Sequence, residues 1–140
     1  MAHQLQDIMT KQVHSVREDA SVLEVARIMR DRRIGDVLVT DEDGALCGIV
    51  TDRDIVVRAV ALGLPLDRMK VGEICSEDLV RVDPSASIEE IIRIMREHAI
   101  RRVPVVQGDK PIGIVSIGDL ARFKDPGSAL AEISAAAPNN

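Results

Sequence analysis

Ala20-Ser21-Val22-Leu23-Glu24-Val25-Ala26-Arg27-Ile28-Met29-Arg30 recurs 66 residues later as Ala86-Ser87-Ile88-Glu89-Glu90-Ile91-Ile92-Arg93-Ile94-Met95-Arg96. From Ala20 to Val39, ten of twenty positions are identical in the two copies, where chance gives about one or two. After a one-residue gap the match resumes, with Gly48-Ile49-Val50-Thr51 on Gly113-Ile114-Val115-Ser116 and Asp54 on Asp119. A repeat of this kind means one structural unit used twice. Two copies commonly pack about a pseudo-twofold axis and so create paired clefts, which directs the search for function to the ground between the copies.

Each copy reads as strand, helix, strand, strand, helix. Ser21-Val22-Leu23-Glu24 and Ser87-Ile88-Glu89-Glu90 have the form of capping boxes, in which the serine accepts a backbone N–H and the glutamate reaches back to the cap. Behind them Val22, Val25, Ala26 and Met29, and then Ile88, Ile91, Ile92 and Met95, recur at helical spacing and define one buried face per helix. Strands are expected at Val13–Val16, Val37–Thr40, Leu46–Val50, Val103–Val106 and Pro111–Val115. Asp41-Glu42-Asp43-Gly44 and Gly108-Asp109 form the turns. A helix after Thr51 runs to about Leu62 and stops at Gly63, and another runs from Ser116 to about Phe123. The resulting division is repeat one at 5–63, a linker at 64–72, repeat two at 73–124, and a tail at 125–140 holding a short helix. One copy of about 60 residues alone is marginal, and two that share faces are not.

The bulk composition narrows the function. A hydrophobic share of 46% beside 29% charged residues fits a folded globular chain rather than a disordered one. No apolar run is long enough to cross a bilayer, and Met1-Ala2-His3-Gln4-Leu5-Gln6-Asp7 lacks the pattern of a secretory signal, so the expected compartment is the cytoplasm. A net charge of −5 argues against nucleic acid as a partner. With one Phe and neither Tyr nor Trp there is no stacking platform for bases, so a planar ligand would have to lie between aliphatic side chains. Cys47 and Cys75 form no C-x-x-C pair and read as reduced thiols. No phosphate-binding glycine loop, zinc-protease helix or nucleophile elbow occurs, and no nucleophile has an evident base, so an enzyme is not expected.

The chemistry concentrates in Gly48-Ile49-Val50-Thr51-Asp52-Arg53-Asp54 and its counterpart Gly113-Ile114-Val115-Ser116-Ile117-Gly118-Asp119. Each lies where a buried strand turns into a helix and sets a hydroxyl and a carboxylate three residues apart. A carboxylate accepts two hydrogen bonds at once and suits a vicinal diol such as a ribose edge. The same spacing is also that of a capping box, and on spacing alone both readings stand. An aspartate folded back onto its cap is less available to a ligand.

The doubled pattern resembles a pair of CBS domains. The matching elements are Asp7-Ile8-Met9, the Ala-Ser-Val-x-Glu-Val-Ala-x-x-Met helix, Arg101 to Val106 (Arg-Arg-Val-Pro-Val-Val), and the two Gly-Ile-Val-[Thr/Ser]-x-x-Asp segments. They span residue 5 to about 124, and the chain is similar to short bacterial proteins made only of such a pair, some of them stress- or hypoxia-associated. The resemblance implies an α+β fold of two β-α-β-β-α repeats about a pseudo-twofold axis. It also implies a regulatory module that binds adenosine-containing nucleotides in clefts between the repeats. Carried over by position, one cleft combines Thr51 and Asp54 with Leu79, Val80, Ile100, Arg101 and Arg102. The other combines Ser116 and Asp119 with Val13, His14, Ile34 and Gly35. Because Gly35-Asp36 stands where the second copy has Arg101-Arg102, the Thr51/Asp54 cleft is expected to take phosphorylated adenosine better. No cofactor is required on this reading. AMP, ADP, ATP or S-adenosylmethionine is the expected regulatory ligand, a disc-like homodimer the expected assembly, and a further protein the expected listener. The alternative is an interaction scaffold with no nucleotide ligand.

Overall fold

The computed structural model describes residues 5–11, 13–76, 80–125 and 127–136, with Ser134 by its backbone alone. The chain forms two compact units, one of His14–Leu79 and one of Met1–Val13 with Val80–Asn139.

The first unit carries β1 (Ser15–Arg17), α2 (Val22–Arg32), β2 (Asp36–Thr40), β3 (Leu46–Thr51) and α3 (Asp52–Ile55). The sheet order is β1-β2-β3, with β1 parallel to β2 and β2 antiparallel to β3. Helix α2 starts where Ser21 Oγ accepts the Glu24 N–H at 3.0 Å, which is the serine half of the expected box. Its apolar stripe closes the core, with Val22 and Val25 fully buried against Val37, Val39 and Val50. Burying a side chain of this size is worth about 1.5–3 kcal/mol, so this stripe and its strands hold the unit together. Past Ile55 the helix widens into a π-helical stretch, Val56–Val60, and the chain leaves it at Gly63 with φ 67. The stretch expected as one helix from Thr51 to Leu62 is thus helical in two geometries.

The second unit carries α1 (Leu5–Ile8), α4 (Ile88–His98), β4 (Arg102–Gln107), β5 (Lys110–Ser116), α5 (Ile117–Lys124) and α6 (Ala129–Ala135). Helix α4 repeats α2 closely. Ser87 Oγ accepts the Glu90 N–H at 3.1 Å, and Ile88, Ile91 and Met95 face the core. Both helices end on a left-handed residue, Arg33 at φ 57 and Ala99 at φ 53. Among the described residues, the opening strand expected of the second copy shows a single bridge, Val82 to Val105, and the named sheet there consists of β4 and β5. Pro84, two residues on, lacks the N–H a longer ladder would use. The helix expected in the tail is α6, capped by Ser128 Oγ accepting the Ala131 N–H at 3.1 Å.

The compact units cut the chain differently from the sequence repeat. Leu5 and Met9, at the head of copy one, belong to the core of the second unit. Val71, Ile74 and Cys75, at the head of copy two, belong to the core of the first. The exchange is built on the edges of the last strands. Thr10 exchanges two backbone hydrogen bonds with Ile114, at 2.8 and 3.0 Å, and Ser76 exchanges two with Ile49, at 3.2 and 2.9 Å. The glycines of the two Gly-Ile-Val segments make room for it. A Cβ on Gly48 would lie 2.5 Å from Cys75 Sγ, and one on Gly113 would lie 2.6 Å from Met9 Sδ.

Candidate functional site

Thr51 ends β3 and caps α3 with extended backbone at φ −111, ψ 164. Its N–H donates to Asp54 Oδ2 at 2.9 Å, and the Asp54 N–H donates back to Thr51 Oγ1 at 3.1 Å. Ser116 and Asp119 form the same two-way box at the start of α5, with distances of 2.9 and 3.1 Å. The capping reading of the Ser/Thr-x-x-Asp spacing is therefore realised in both repeats, and one oxygen of each carboxylate serves a main-chain amide.

The second oxygen separates the two. Asp54 Oδ1 stands 3.8 Å from Arg58 Nε, with 17% of the Asp54 side chain exposed. Arg58 meanwhile donates to the Ile74 carbonyl at 3.1 Å. Asp119 Oδ1 accepts a hydrogen bond from Arg122 Nη2, and only 3% of its side chain is exposed. The sequence alone does not single out Arg58 and Arg122. Their spacing from the aspartates, i+4 and i+3, was the available signal, but such pairs are common on any helix.

His14, Ile34 and Gly35 lie in the unit of Thr51 and Asp54, and Ile100, Arg101 and Arg102 in that of Ser116 and Asp119, whereas the resemblance pairs them across the repeats. In the first, the Asp52 N–H donates to the Gly35 carbonyl at 3.0 Å, the Ile34 N–H to the Met29 carbonyl at 3.1 Å, and His14 accepts from the Leu38 N–H at 2.9 Å. Gly35 thus lies beside the start of α3, where a Cβ would come within 3.3 Å of Asp52 Oδ2. In the second, the Ile117 N–H donates to the Arg101 carbonyl at 2.9 Å, and Ile100 packs against the core. Val13 and Val80 also belong to this unit, half-buried. Leu79 lies outside the described residues. Within the second unit Arg101 and Arg102 join Ser116, Ile117, Gly118 and Arg122 around a pocket of about 360 Å³. Three guanidinium groups, a hydroxyl and the opening turn of α5 make this an anion-attracting surface.

Cys47 is a poor nucleophile. Burial, then its contact with Glu18 Oε2 at 3.5 Å, pushes the thiol up to about 11. Among the described residues no group of three or more His, Cys, Asp or Glu is placed to hold a metal ion, and no helix is long and apolar enough to cross a membrane.

Two helix-hairpin-helix repeats, each with a hydroxyl–carboxylate entry to its last helix, define a tandem-repeat architecture, and the CBS domain model matches residues 5–60 and 71–125. The chain belongs to the CBS-domain family. It is 39% identical over 116 residues to Hypoxic response protein 1 of Mycobacterium tuberculosis, covering 83% of this chain and 81% of that one. The crystal structure of Hypoxic Response Protein I with two coordinated zinc ions superposes with a TM-score of 0.78 at 37% identity, covering 86% of this chain and 98% of that one. The CBS domain pair of protein MJ0100, in complex with 5′-methylthioadenosine and S-adenosyl-L-methionine, also has a TM-score of 0.78, at 25% identity, covering 91% of this chain and all of that one.

Proposed function

We propose that this protein is a regulatory ligand-sensing module that takes adenosine-containing small molecules at the strand-to-helix entries of its repeats and signals by conformational or oligomeric change. The observation that carries this reading is the Asp54 carboxylate. It is anchored through Oδ2 on the Thr51 amide, while Oδ1 faces only a loose ion pair at 3.8 Å. A carboxylate oxygen retains capacity for a sugar hydroxyl after such a bond, and the cap fixes its direction. The bound 5′-methylthioadenosine and S-adenosyl-L-methionine of the MJ0100 pair support adenosine as the shared ligand element.

A second copy of the chain is the proposed partner. Val56, Val57 and Val60 stand exposed on the helix that continues from Asp54. In the second unit, Ile92, Met95, Ile100, Ile117, Leu120 and Leu130 line an apolar recess of about 370 Å³. Apolar surface of this kind marks an association face. A ligand then shifts the balance of states only by its differential affinity for them, and a further protein reads the result.

Isothermal titration of the full chain with adenosine, AMP, ATP and S-adenosylmethionine tests the reading. Saturable binding that Asp54→Ala removes supports it, and heat-silent titration with all four ends it. The alternative is an interaction scaffold without a nucleotide, which the two complete capping boxes favour. Under it Asp54→Ala weakens the helix start and leaves partner capture intact.

A further inference from the structure

Arg122 belongs to two places at once. It donates to Asp119 Oδ1, and it lines the pocket shared with Arg101, Arg102, Ser116 and Gly118. With Oδ2 on the Ser116 amide at 2.9 Å, both oxygens of Asp119 are engaged and the side chain is 3% exposed. The first repeat has no such arrangement. Repeat register sets Val57 where Arg122 stands, and Arg58 is held at the Ile74 carbonyl, 3.8 Å from Asp54.

We propose that Arg122 locks the second ligand position and that an anionic ligand group is its key. The inference rests on the adenosine reading above and adds a rule to it: Asp54 accepts neutral and charged adenosines alike, whereas Asp119 accepts only those bearing an anion. A neutral nucleoside offers hydroxyls to Asp119 but nothing to Arg122. Pulling a guanidinium from a buried carboxylate without a substitute leaves an uncompensated charge, which is strongly unfavourable. A phosphate drawn to Arg101 and Arg102 replaces the carboxylate as the partner of Arg122, while the sugar hydroxyls take the place of the guanidinium on Asp119 Oδ1. Arg122 turns its planar donor fork to the phosphate, and Asp119 Oδ1 is released to the sugar hydroxyls. Arg122 is therefore a specificity-determining residue.

Titration of the full chain with adenosine and with AMP, for wild type, Arg122→Gln and Arg122→Lys, tests the lock. Wild type should take one adenosine per chain and two AMP. Arg122→Gln should take two adenosines, and Arg122→Lys, which keeps a cation and the fold, should bind its second adenosine at least tenfold more weakly than Arg122→Gln. Asp54→Ala in wild type should remove adenosine binding and leave one AMP. Two adenosines in wild type, or one in a folded Arg122→Gln, overturns the lock while the adenosine reading stands. Failure of both compounds to bind wild type and Arg122→Gln overturns the adenosine reading and the lock with it.

Discussion

Asp119 sits one helical turn before Arg122 and gives it the oxygen that its own cap leaves over. In the other repeat the corresponding carboxylate, Asp54, is more exposed and only loosely paired. Two sites with one sequence signature thus hold their carboxylates with different strength. Asp119→Ala removes a cap and a buried charge-assisted bond, and should lower stability by about 2–3 kcal/mol. Asp54→Ala removes chiefly a cap, at about 1 kcal/mol. Urea unfolding followed by circular dichroism measures both, and equal losses would mean that the Arg122 bond contributes nothing.

The left-handed residues at the ends of α2 and α4 are a second point of leverage. Ala99 caps α4 at φ 53, and its N–H donates to the Met95 carbonyl. A residue with a Cβ is strained in this conformation by about 1–2 kcal/mol, and glycine is not. Ala99 is exposed, so its methyl gives little packing in return. Ala99→Gly should therefore raise stability by about 1 kcal/mol, less the extra entropy glycine brings to the unfolded chain. A fall in the thermal midpoint would show that the backbone here is not left-handed in solution.

Much of this fold is legible because local signals and the repeat agree. Ser21 and Ser87 mark helix starts, the apolar spacing behind them marks the buried faces, and Gly44 and Gly108 mark the turns. Segment membership is not legible. Nothing local tells Leu5 and Met9 to join the core of the second unit, because that choice is made by strand-edge pairing at Ile114, far along the chain. The second copy's opening strand also looks like the first from its apolar residues, yet among the described residues only Val82 pairs. At the site, Thr51-x-x-Asp54 and Ser116-x-x-Asp119 encode cap and ligand grip with the same letters. The distinction lies in the second oxygen and in which arginine reaches it.

The exchanged segments predict unequal tolerance at two equivalent glycines. A Cβ on Gly48 would meet Cys75 Sγ at 2.5 Å, Cys75 Cβ at 3.1 Å and the Ser76 carbonyl at 3.1 Å. The short Cys75 side chain and the paired backbone have little room to yield. A Cβ on Gly113 would meet Met9 Sδ at 2.6 Å and the Thr10 carbonyl at 3.0 Å, and methionine adapts more readily. Gly48→Ala should cost about 2–3 kcal/mol and Gly113→Ala nearer 1 kcal/mol, within the usual range for overpacking. Denaturation midpoints of the two variants decide it, and the reverse order would mean that Met9 is the more rigid neighbour.

Cys47 yields a pH prediction. Burial foremost, and then Glu18, hold its thiol at about 11, against an ordinary value of 9.0. At pH 8 the thiolate fraction is then roughly a hundredfold below that of an unperturbed cysteine, and alkylation should slow in proportion. The same shift acts on stability. Below pH 9 both folded and unfolded chains keep the proton, and the group adds no pH dependence. Between 9 and 11 the unfolded chain loses the proton while the folded chain keeps it, so stability falls as pH rises through this window. Glu18→Gln removes one cause and leaves burial in place. Its thiol should therefore alkylate faster than in wild type but remain slower than a free cysteine, and its alkaline loss of stability should shrink. Iodoacetamide kinetics resolved by mass spectrometry, with Cys75→Ala as the background, follow the single thiol. A rate equal to that of a free cysteine at pH 8 would show that Cys47 is neither buried nor coupled to Glu18 in solution.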